Sequence, residues 1–144
     1  MDTRIRKLTA DDYDEIIRIW AESGLPFKPH GRDSRARIEA EMTRSDSAFF
    51  GLFENGRMLG VGLASYDGRK GWIQRVAIDP DHRGHGLASR ILDACEEFLR
   101  SCGAEVIGCL IEDLNSPSME CFRKHGYVCW PNILYFSKRD SGEA

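Results

Sequence analysis

The stretch that decides the fold reads Val76-Ala77-Ile78-Asp79-Pro80-Asp81-His82-Arg83-Gly84-His85-Gly86-Leu87-Ala88. It joins an apolar run typical of a β-strand to a long segment whose apolar residues recur at helical spacing. The first N–H groups of a helix have no intrahelical partner, and the helix dipole places partial positive charge there. The backbone at this point can therefore bind a phosphate group. Gly84 and Gly86 leave room for it, and Arg83 adds a positive charge.

Other ligand-binding patterns fit this stretch less well. A dinucleotide-binding fingerprint needs a third glycine, and Ser89 occupies that position. A P-loop needs Gly-Lys-Ser/Thr, which the sequence lacks. His82 and His85 have no second ligand pair at metal-site spacing, so no metal site is predicted. On this motif alone, glycines that only turn the chain remain an alternative to a phosphate site.

The residues before the motif predict one strand, two helices and three antiparallel strands. Thr9 to Asp12 has the spacing of a capping box, and Asn55-Gly56 suits a two-residue hairpin turn. The first helix has one apolar stripe that includes Trp20, and a loop over residues 23–31 ends it. The predicted strands are residues 4–8, 48–53, 58–66 and 71–78, and the second helix is residues 34–43.

The residues after the motif predict two further helices and three further strands. The long helix covers residues 87–102 and ends at Gly103. A strand over residues 106–111 follows, and then a helix with Ser116 as N-cap and Pro117 at its first position, closed by Gly126. Residues 127–130 and 133–137 predict two last strands, and the polar end from residue 138 frays. The total is about seven strands and four helices.

Composition limits the classes of function. The chain has 144 residues and a net charge of -3, so one domain over residues 1–144 is expected. Neither nucleic acid nor an anionic membrane surface is an expected partner. The five cysteines form no Cys-x-x-Cys pair and are expected to be reduced thiols. The first residues lack a signal-peptide pattern, which predicts a cytoplasmic protein.

Three motifs in order carry a family resemblance. Residues 83–88 match the Arg/Gln-x-x-Gly-x-Gly/Ala signature of the GCN5-related N-acetyltransferases. The run Val76 to Pro80 looks like the end of that family's fourth strand. Residues 115–127 resemble its Asn-x-x-Ala-x-x-Leu-Tyr-x-Lys-x-Gly-Phe segment. The resemblance covers a core of residues 4–138.

The resemblance implies a single α/β (α+β) N-acetyltransferase domain with a mixed, mostly antiparallel sheet that splays between its fourth and fifth strands. Acetyl-CoA is the implied co-substrate, bound in that opening. The N–H of Val76 or Ala77 would polarise the thioester carbonyl. The implied cofactor-binding residues are Val76, Ala77, Ile78, Arg83, Gly84, His85, Gly86, Leu87, Ala88, Ser89, Asn115 and Phe122.

Two positions depart from the family pattern. Gln74 stands where many relatives have a glutamate base, and Phe122 stands where many have a tyrosine acid. Glu112 becomes the expected base, with Asp113 or a water chain as alternatives and an ordinary exposed acid as the other interpretation of Glu112. Tyr66 and Tyr135 are other hydroxyls that could reach the cleft. Cys121 is expected to be a buried thiol, because the family transfers the acetyl group directly.

The expected activity is direct acetyl transfer from acetyl-CoA to a primary amine of a small molecule or of a protein N-terminus. The alternative is an acyl-CoA-binding sensor or structural protein without turnover, which the two departures favour. A homodimer is compatible with the family resemblance. The residues expected near the acceptor are aromatic or apolar, namely Trp20, Leu25, Phe27, Trp72, Trp130 and Tyr135.

The phosphate site can be tested by Gly86→Asp, which places a side chain and a negative charge against the pyrophosphate. We expect it to abolish acetyl-CoA binding in a calorimetric titration while the circular dichroism spectrum stays unchanged. Unchanged affinity would place the phosphate site elsewhere.

Overall fold

The computed structural model of the protein describes residues 2–144 and shows a single α/β domain. Its helices and strands follow one another as β1 (Arg4–Lys7), α1 (Tyr13–Glu22), α2 (Arg35–Met42), β2 (Ser47–Glu54), β3 (Arg57–Tyr66), β4 (Gly71–Ile78), α3 (Leu87–Cys102), β5 (Ile107–Gly108) and α4 (Ser116–Lys124). Two short 3-10 turns, Ala10–Asp12 and Pro80–His82, precede α1 and α3. The capping box predicted at Thr9 and Asp12 is confirmed.

The sheet is mixed and has the strand order β1-β2-β3-β4-β5. Strands β1 to β4 form an antiparallel meander, and β5 runs parallel to β4. The predicted hairpin at Asn55-Gly56 joins β2 to β3, with Glu54 opposite Arg57. Among residues 2–144 no helix is long and apolar enough to cross a membrane.

Hydrophobic clusters cover both faces of the sheet. On one face α3 buries Ile91, Leu92 and Cys95 against the sheet, and on the other α1 buries Ile16 and Trp20. Side chains alternate along β3, because its residues point to opposite faces in turn. The face of α3 that packs against the sheet is apolar, as the helical spacing of its leucines and isoleucines predicts.

Strand β3 has glycines where α3 crosses it. A Cβ atom at Gly62 would lie 2.6 Å from the Cγ2 atom of Ile91. A Cβ atom at Gly60 would lie 2.8 Å from the Cδ1 atom of the same side chain. Both distances are shorter than van der Waals contact, so α3 approaches β3 as closely as it does only because these positions have no side chain.

The prediction of about seven strands is wrong, because the sheet has five. The strand predicted over residues 106–111 is reduced to Ile107–Gly108, and residues 127–137 are irregular. A strand forms only where a neighbouring edge offers backbone partners, and β5 offers two residues. Pro131 also separates the two predicted strands and cannot donate to a ladder. The large apolar side chains left exposed here are Val128, Trp130, Ile133, Leu134, Tyr135 and Phe136.

The close contact of α3 with β3 can be tested by Gly62→Ala. We expect a loss of about 1–3 kcal/mol in the free energy of unfolding, because the added methyl group forces Ile91 to move. Gly142→Ala is the matched control, since a Cβ atom there meets nothing within 4 Å. Equal urea midpoints for both variants would contradict close packing at Gly62.

Candidate active site

The junction of β4 and α3 exposes a row of backbone amides. After the turn Pro80–His82, Gly84 has φ 85° and Gly86 has φ 73°, and α3 begins at Leu87. Only glycine adopts such angles at little cost. A Cβ atom at either glycine would meet no atom within 4 Å, so the space above the turn is open. The start of α3 therefore has the geometry of an anion site.

The predicted phosphate-binding residues divide by their exposure. Leu87 is 5% exposed, so its side chain packs in the core and cannot contact a ligand. Only its backbone N–H, at the first residue of α3, is available for phosphate binding. Gly84, His85 and Gly86 are exposed. The Arg83 guanidinium lies 3.5 Å from the carbonyl oxygen of Ser23, just past the end of α1. Ala88 and Ser89 are half-buried on the first turn of α3.

Asp79 anchors this turn, a role that the sequence analysis missed. Its carboxylate is buried and accepts the N–H of Asp81 at 2.9 Å. Arg18 and Arg57 lie 3.4 Å and 3.5 Å from the same carboxylate. Burial alone raises the pKa of Asp79, but the N–H of Asp81 and the nearby His82 and Arg18 side chains outweigh it and hold the pKa below its ordinary value. The position of an aspartate just before a proline was the available signal.

Strand β4 contains a bulge at Arg75. Val61 of β3 pairs with Ala77, and Leu63 pairs with Gln74, so Arg75 and the residue after it lie opposite one β3 residue. Arg75 has φ 59°, in the left-handed region. A bulge turns the backbone groups beside it away from the ladder. The bulge therefore lies directly before Val76, whose N–H was predicted to contact the thioester.

The edge of β4 beyond Trp72 carries no strand among residues 2–144. Strand β5 pairs with β4 at only two positions, Gly71 with Ile107 and Trp72 with Gly108. Residues 73–78 of β4 therefore have no ladder on that side, within the part of the chain that the structure describes. An unpaired strand edge is a template for an extended ligand.

The Arg75 side chain fastens the loop between α1 and α2 to the bulge. Its guanidinium stacks on Trp20 at 4.4 Å, donates to the Pro26 carbonyl at 2.6 Å and forms an ion pair with Asp33. The Asp33 carboxylate also accepts the N–H of Lys28 at 2.7 Å. Both partners are largely buried, at 16% and 8% exposure of the Arg75 and Asp33 side chains. Burial lowers the pKa of Arg75, and the Asp33 charge opposes that effect.

The two candidate proton acceptors, Glu112 and Asp113, lie outside the sheet, whereas Gln74 lies within it. Gln74 is exposed on β4, and Glu112 and Asp113 are exposed in the irregular segment after β5 rather than at a strand end. The Glu112 carbonyl accepts the N–H of Asn115 at 2.9 Å. This bond turns the chain just before α4.

The start of α4 differs from the prediction by one residue. Asn115, not Ser116, is the N-cap, and its side-chain oxygen accepts the N–H of Ser118 at 3.3 Å. This bond uses the Asn115 Oδ1 atom as its acceptor. Asparagine outranks or equals serine as an N-cap, which explains the shift. Asn115 is exposed, as a cofactor contact requires.

Phe122 is 7% exposed and lies in the core. It meets Tyr127 edge to face, with ring centroids 5.0 Å apart. The Tyr127 hydroxyl donates to Glu96 at 2.7 Å, and burial together with that carboxylate raises the pKa of Tyr127. Burial also raises the pKa of the Cys121 thiol, which disfavours a thiolate nucleophile.

The residues predicted near the acceptor are only partly brought together. Trp20 is buried and contacts Phe27 at a centroid distance of 6.5 Å. Trp72 donates its indole N–H to Asp67 at 3.0 Å, at the start of β4. Trp130 and Tyr135 are 69% and 60% exposed in the irregular segment. Trp20 and Phe27, with the half-buried Leu25, belong to the loop that Arg75 holds.

The family model for the acetyltransferase (GNAT) family matches residues 12–127, well over half of the chain. The chain belongs to the GNAT acetyltransferase family. It is similar to the acetyltransferase SG1711 of Sodalis glossinidius, with 26% identity over 135 residues that cover 94% of each chain. A Yersinia pestis acetyltransferase is also 26% identical, over 130 residues that cover 90% of this chain and 91% of the relative.

Two solved structures share the GNAT fold of this chain. The PaiA N-acetyltransferase of Thermoplasma acidophilum, in complex with coenzyme A, superposes with a TM-score of 0.77 and 20% identity over 87% of this chain and 89% of that one. AAC(6')-Iy, in complex with a bisubstrate analog that contains CoA, superposes with a TM-score of 0.81 and 15% identity over 96% and 99%. At these identities the likeness concerns the fold.

The ion pair that holds the loop can be tested by Asp33→Asn. Removal of the charge leaves the Arg75 guanidinium buried and unpaired, so we expect a loss of about 3 kcal/mol in the free energy of unfolding. Hydrogen exchange at the Lys28 amide should accelerate more than elsewhere, because Asp33 accepts that N–H directly.

Asp14→Asn is the matched control for this variant. Asp14 also pairs with an arginine, but its side chain is 87% exposed. An exposed pair contributes about 0–1 kcal/mol. If Asp33→Asn behaved like Asp14→Asn in urea unfolding and in exchange, the Arg75 ion pair would not be what holds the loop.

Proposed function

We propose that this GNAT protein transfers an acetyl group from acetyl-CoA directly to a primary amine, either of a small molecule or of a protein N-terminus. The observation that carries the proposal is one piece of geometry. The bulged, unpaired edge of β4 leads within a few residues into the exposed amides at the start of α3. An extended arm and a pyrophosphate in one molecule match these two features together.

In this proposal the backbone holds most of the cofactor. The pyrophosphate accepts N–H groups of residues 84–89, with Arg83 beside it, and the pantetheine arm extends along Val76 to Ile78. The amide side chain of Asn115 contacts the same arm. Phe122 is buried, so it supports the face of α4 that borders the cofactor and makes little direct contact with the cofactor.

The reaction exchanges one bond for another at the thioester carbon. The amine nitrogen attacks the carbonyl carbon, the Val76 N–H stabilises the oxygen that gains charge, and the carbon–sulfur bond breaks to release CoA thiolate. The bulge suits this donor role, because it releases backbone groups beside it from the β3 ladder. No particular side chain is required for this step.

The amine must lose a proton before or during attack, because an alkyl amine has a pKa of about 10.4. Gln74 cannot accept a proton, and Glu112 is the proposed acceptor. Its exposed carboxylate lies in the segment between β5 and α4, next to Asp113. Asp113 and a water chain to either carboxylate are the alternatives.

The leaving thiolate needs no proton from residue 122. A thiol has a pKa of about 8.5, so the thiolate is a tolerable leaving group. Phe122 has no proton to donate, and the nearby Tyr127 hydroxyl is committed to Glu96 at 2.7 Å. The missing acid lowers the rate by at most the factor of about 10²–10⁴ that such groups supply.

A second candidate function is binding of acyl-CoA without turnover, as a sensor or structural protein. The exposed Gln74 and the buried Phe122 favour it, since neither supplies acid or base chemistry. It shares the cofactor site described above and differs only in the absence of CoA release.

CoA release separates the two functions. Acetyl-CoA is offered with amines, amino acids, polyamines, aminoglycosides and short peptides, and cofactor binding is measured in parallel. We expect turnover with one class and a decrease in kcat of about 10²–10⁴ in Glu112→Gln, with the KM for acetyl-CoA unchanged. Cofactor binding without release in every case would favour the binding protein.

Two variants control for the base. Asp113→Asn identifies the base as Asp113 if it, rather than Glu112→Gln, loses kcat. Glu120→Gln removes an exposed carboxylate on α4 that pairs with Lys124, and it should change neither kcat nor KM. A full-rate Glu112→Gln variant would contradict the assignment of Glu112.

A further inference from the structure

A groove of about 410 Å³ lies against α2, on the protein face that also holds the loop before it. Three of its five lining residues are arginines and one is a glutamate. The lining residues are Arg32, Arg37, Ala40, Glu41 and Arg44. Four of them recur at helical spacing on α2 and just past its end, and Arg32 comes from the loop. The lining side chains therefore include three guanidinium groups and one carboxyl group.

The three guanidiniums in the groove differ in how closely a carboxylate pairs with them. Arg44 is bound by both carboxylate oxygens of Asp46, at 2.9 Å and 2.8 Å. Arg32 lies 3.9 Å from Asp33, whose carboxylate is already engaged by Arg75 and by a backbone N–H. Among residues 2–144, no carboxylate oxygen lies within 4.0 Å of the Arg37 guanidinium. The planar guanidinium fork fits carboxylate and phosphate oxygens in pairs.

Glu41 adds a carboxyl group to the same groove. It is half-buried, and burial together with the nearby Asp33 charge raises its pKa. Its side chain can accept a hydrogen bond from a donor on a ligand. The groove thus offers donors for an anionic group and one acceptor for a polar group beside it.

Side-chain contacts connect the groove to the proposed transfer site. Arg32 lies beside Asp33, and Asp33 forms the ion pair with Arg75 at the β4 bulge. Val76, the proposed oxyanion donor, is the next residue. A ligand seated in the groove therefore contacts, through Arg32, the loop that Arg75 fastens to β4.

We infer that this groove binds an anionic group, a carboxylate or a phosphate, of the amine acceptor, through Arg32 and Arg37. That the groove binds an anion follows from the groove alone. That the anion belongs to the amine acceptor rests on the proposed function. It favours amines that also carry an acidic group over polycationic amines such as aminoglycosides, which the two arginines repel.

The anion site can be tested without turnover. The protein is saturated with CoA, which fills the phosphate site at α3, and is titrated with succinate, with inorganic phosphate and with neutral succinamide while amide NMR shifts are followed. We expect succinate or phosphate to shift the amides of Arg37 and Glu41, and succinamide to leave them unchanged. The anion that binds more tightly identifies the group.

Arg37→Gln and Arg35→Gln form a matched pair of variants. Arg35 is the neighbouring arginine on α2, but it pairs with Asp14 at 3.0 Å and stacks on Tyr13 at 4.7 Å, outside the groove. Anion affinity should fall about tenfold in Arg37→Gln, because the lost charged hydrogen bond contributes about 1.4 kcal/mol. It should stay unchanged in Arg35→Gln. Equal affinities in the two variants, or shifts confined to residues 83–89, would overturn the inference.

Turnover supplies the second readout. We compare an amino acid with its carboxamide derivative, which lacks the carboxylate. We expect a lower KM for the amino acid in the wild type, and equal KM values with unchanged kcat in Arg37→Gln. If aminoglycosides turned over with a lower KM than the amino acid, and with the same KM in wild type and Arg37→Gln, the assignment of the groove to the acceptor would be overturned. If no amine releases CoA, the proposed function fails, and the NMR titration alone decides whether the groove binds anions.

Discussion

One buried guanidinium connects the two halves of the proposed site. Arg75 occupies the bulge of β4 and holds the loop between α1 and α2 through Asp33 and the Pro26 carbonyl. Loss of one partner of a buried ion pair costs about 3–5 kcal/mol, a large fraction of the stability of a small domain. The same residue thus fixes the backbone that would polarise the thioester and the loop that would meet the acceptor. The ion pair therefore links the loop between α1 and α2 directly to the bulge of β4.

The position of α3 depends on two further constraints. Glycines on β3 let α3 approach the sheet, and the buried Asp79 carboxylate holds the turn that precedes the helix. Both act on backbone position rather than on chemistry. They explain how a site made mainly of N–H groups can be preorganised, since backbone donors fixed by packing need no reorganisation when charge develops. The backbone geometry proposed to hold the cofactor therefore does not depend on the chemistry of residues 74 and 122.

Local patterns in the sequence predicted the local parts of the fold. The helix over 87–102, the hairpin at Asn55-Gly56 and the glycine turn each depend on residues close in sequence, and each is present. The contact of Arg75 with Asp33 joins residues 42 positions apart, and no periodicity indicates it. The last two predicted strands failed for a related reason, because a strand depends on a partner edge that β5 does not provide. For the same reason the sequence could not predict that Trp130 and Tyr135, expected near the acceptor, lie exposed in the irregular segment after α4.

The central claim is that the cofactor lies along the bulged edge of β4 and over the start of α3. The most direct measurement is an amide NMR titration of the wild-type protein with CoA. We expect the largest shifts at residues 76–78 and 84–89, with smaller changes at Asn115. Shifts confined to another surface, such as the groove of about 370 Å³ lined by Ile5, Phe50 and Phe98, with residues 84–89 unmoved, would contradict it.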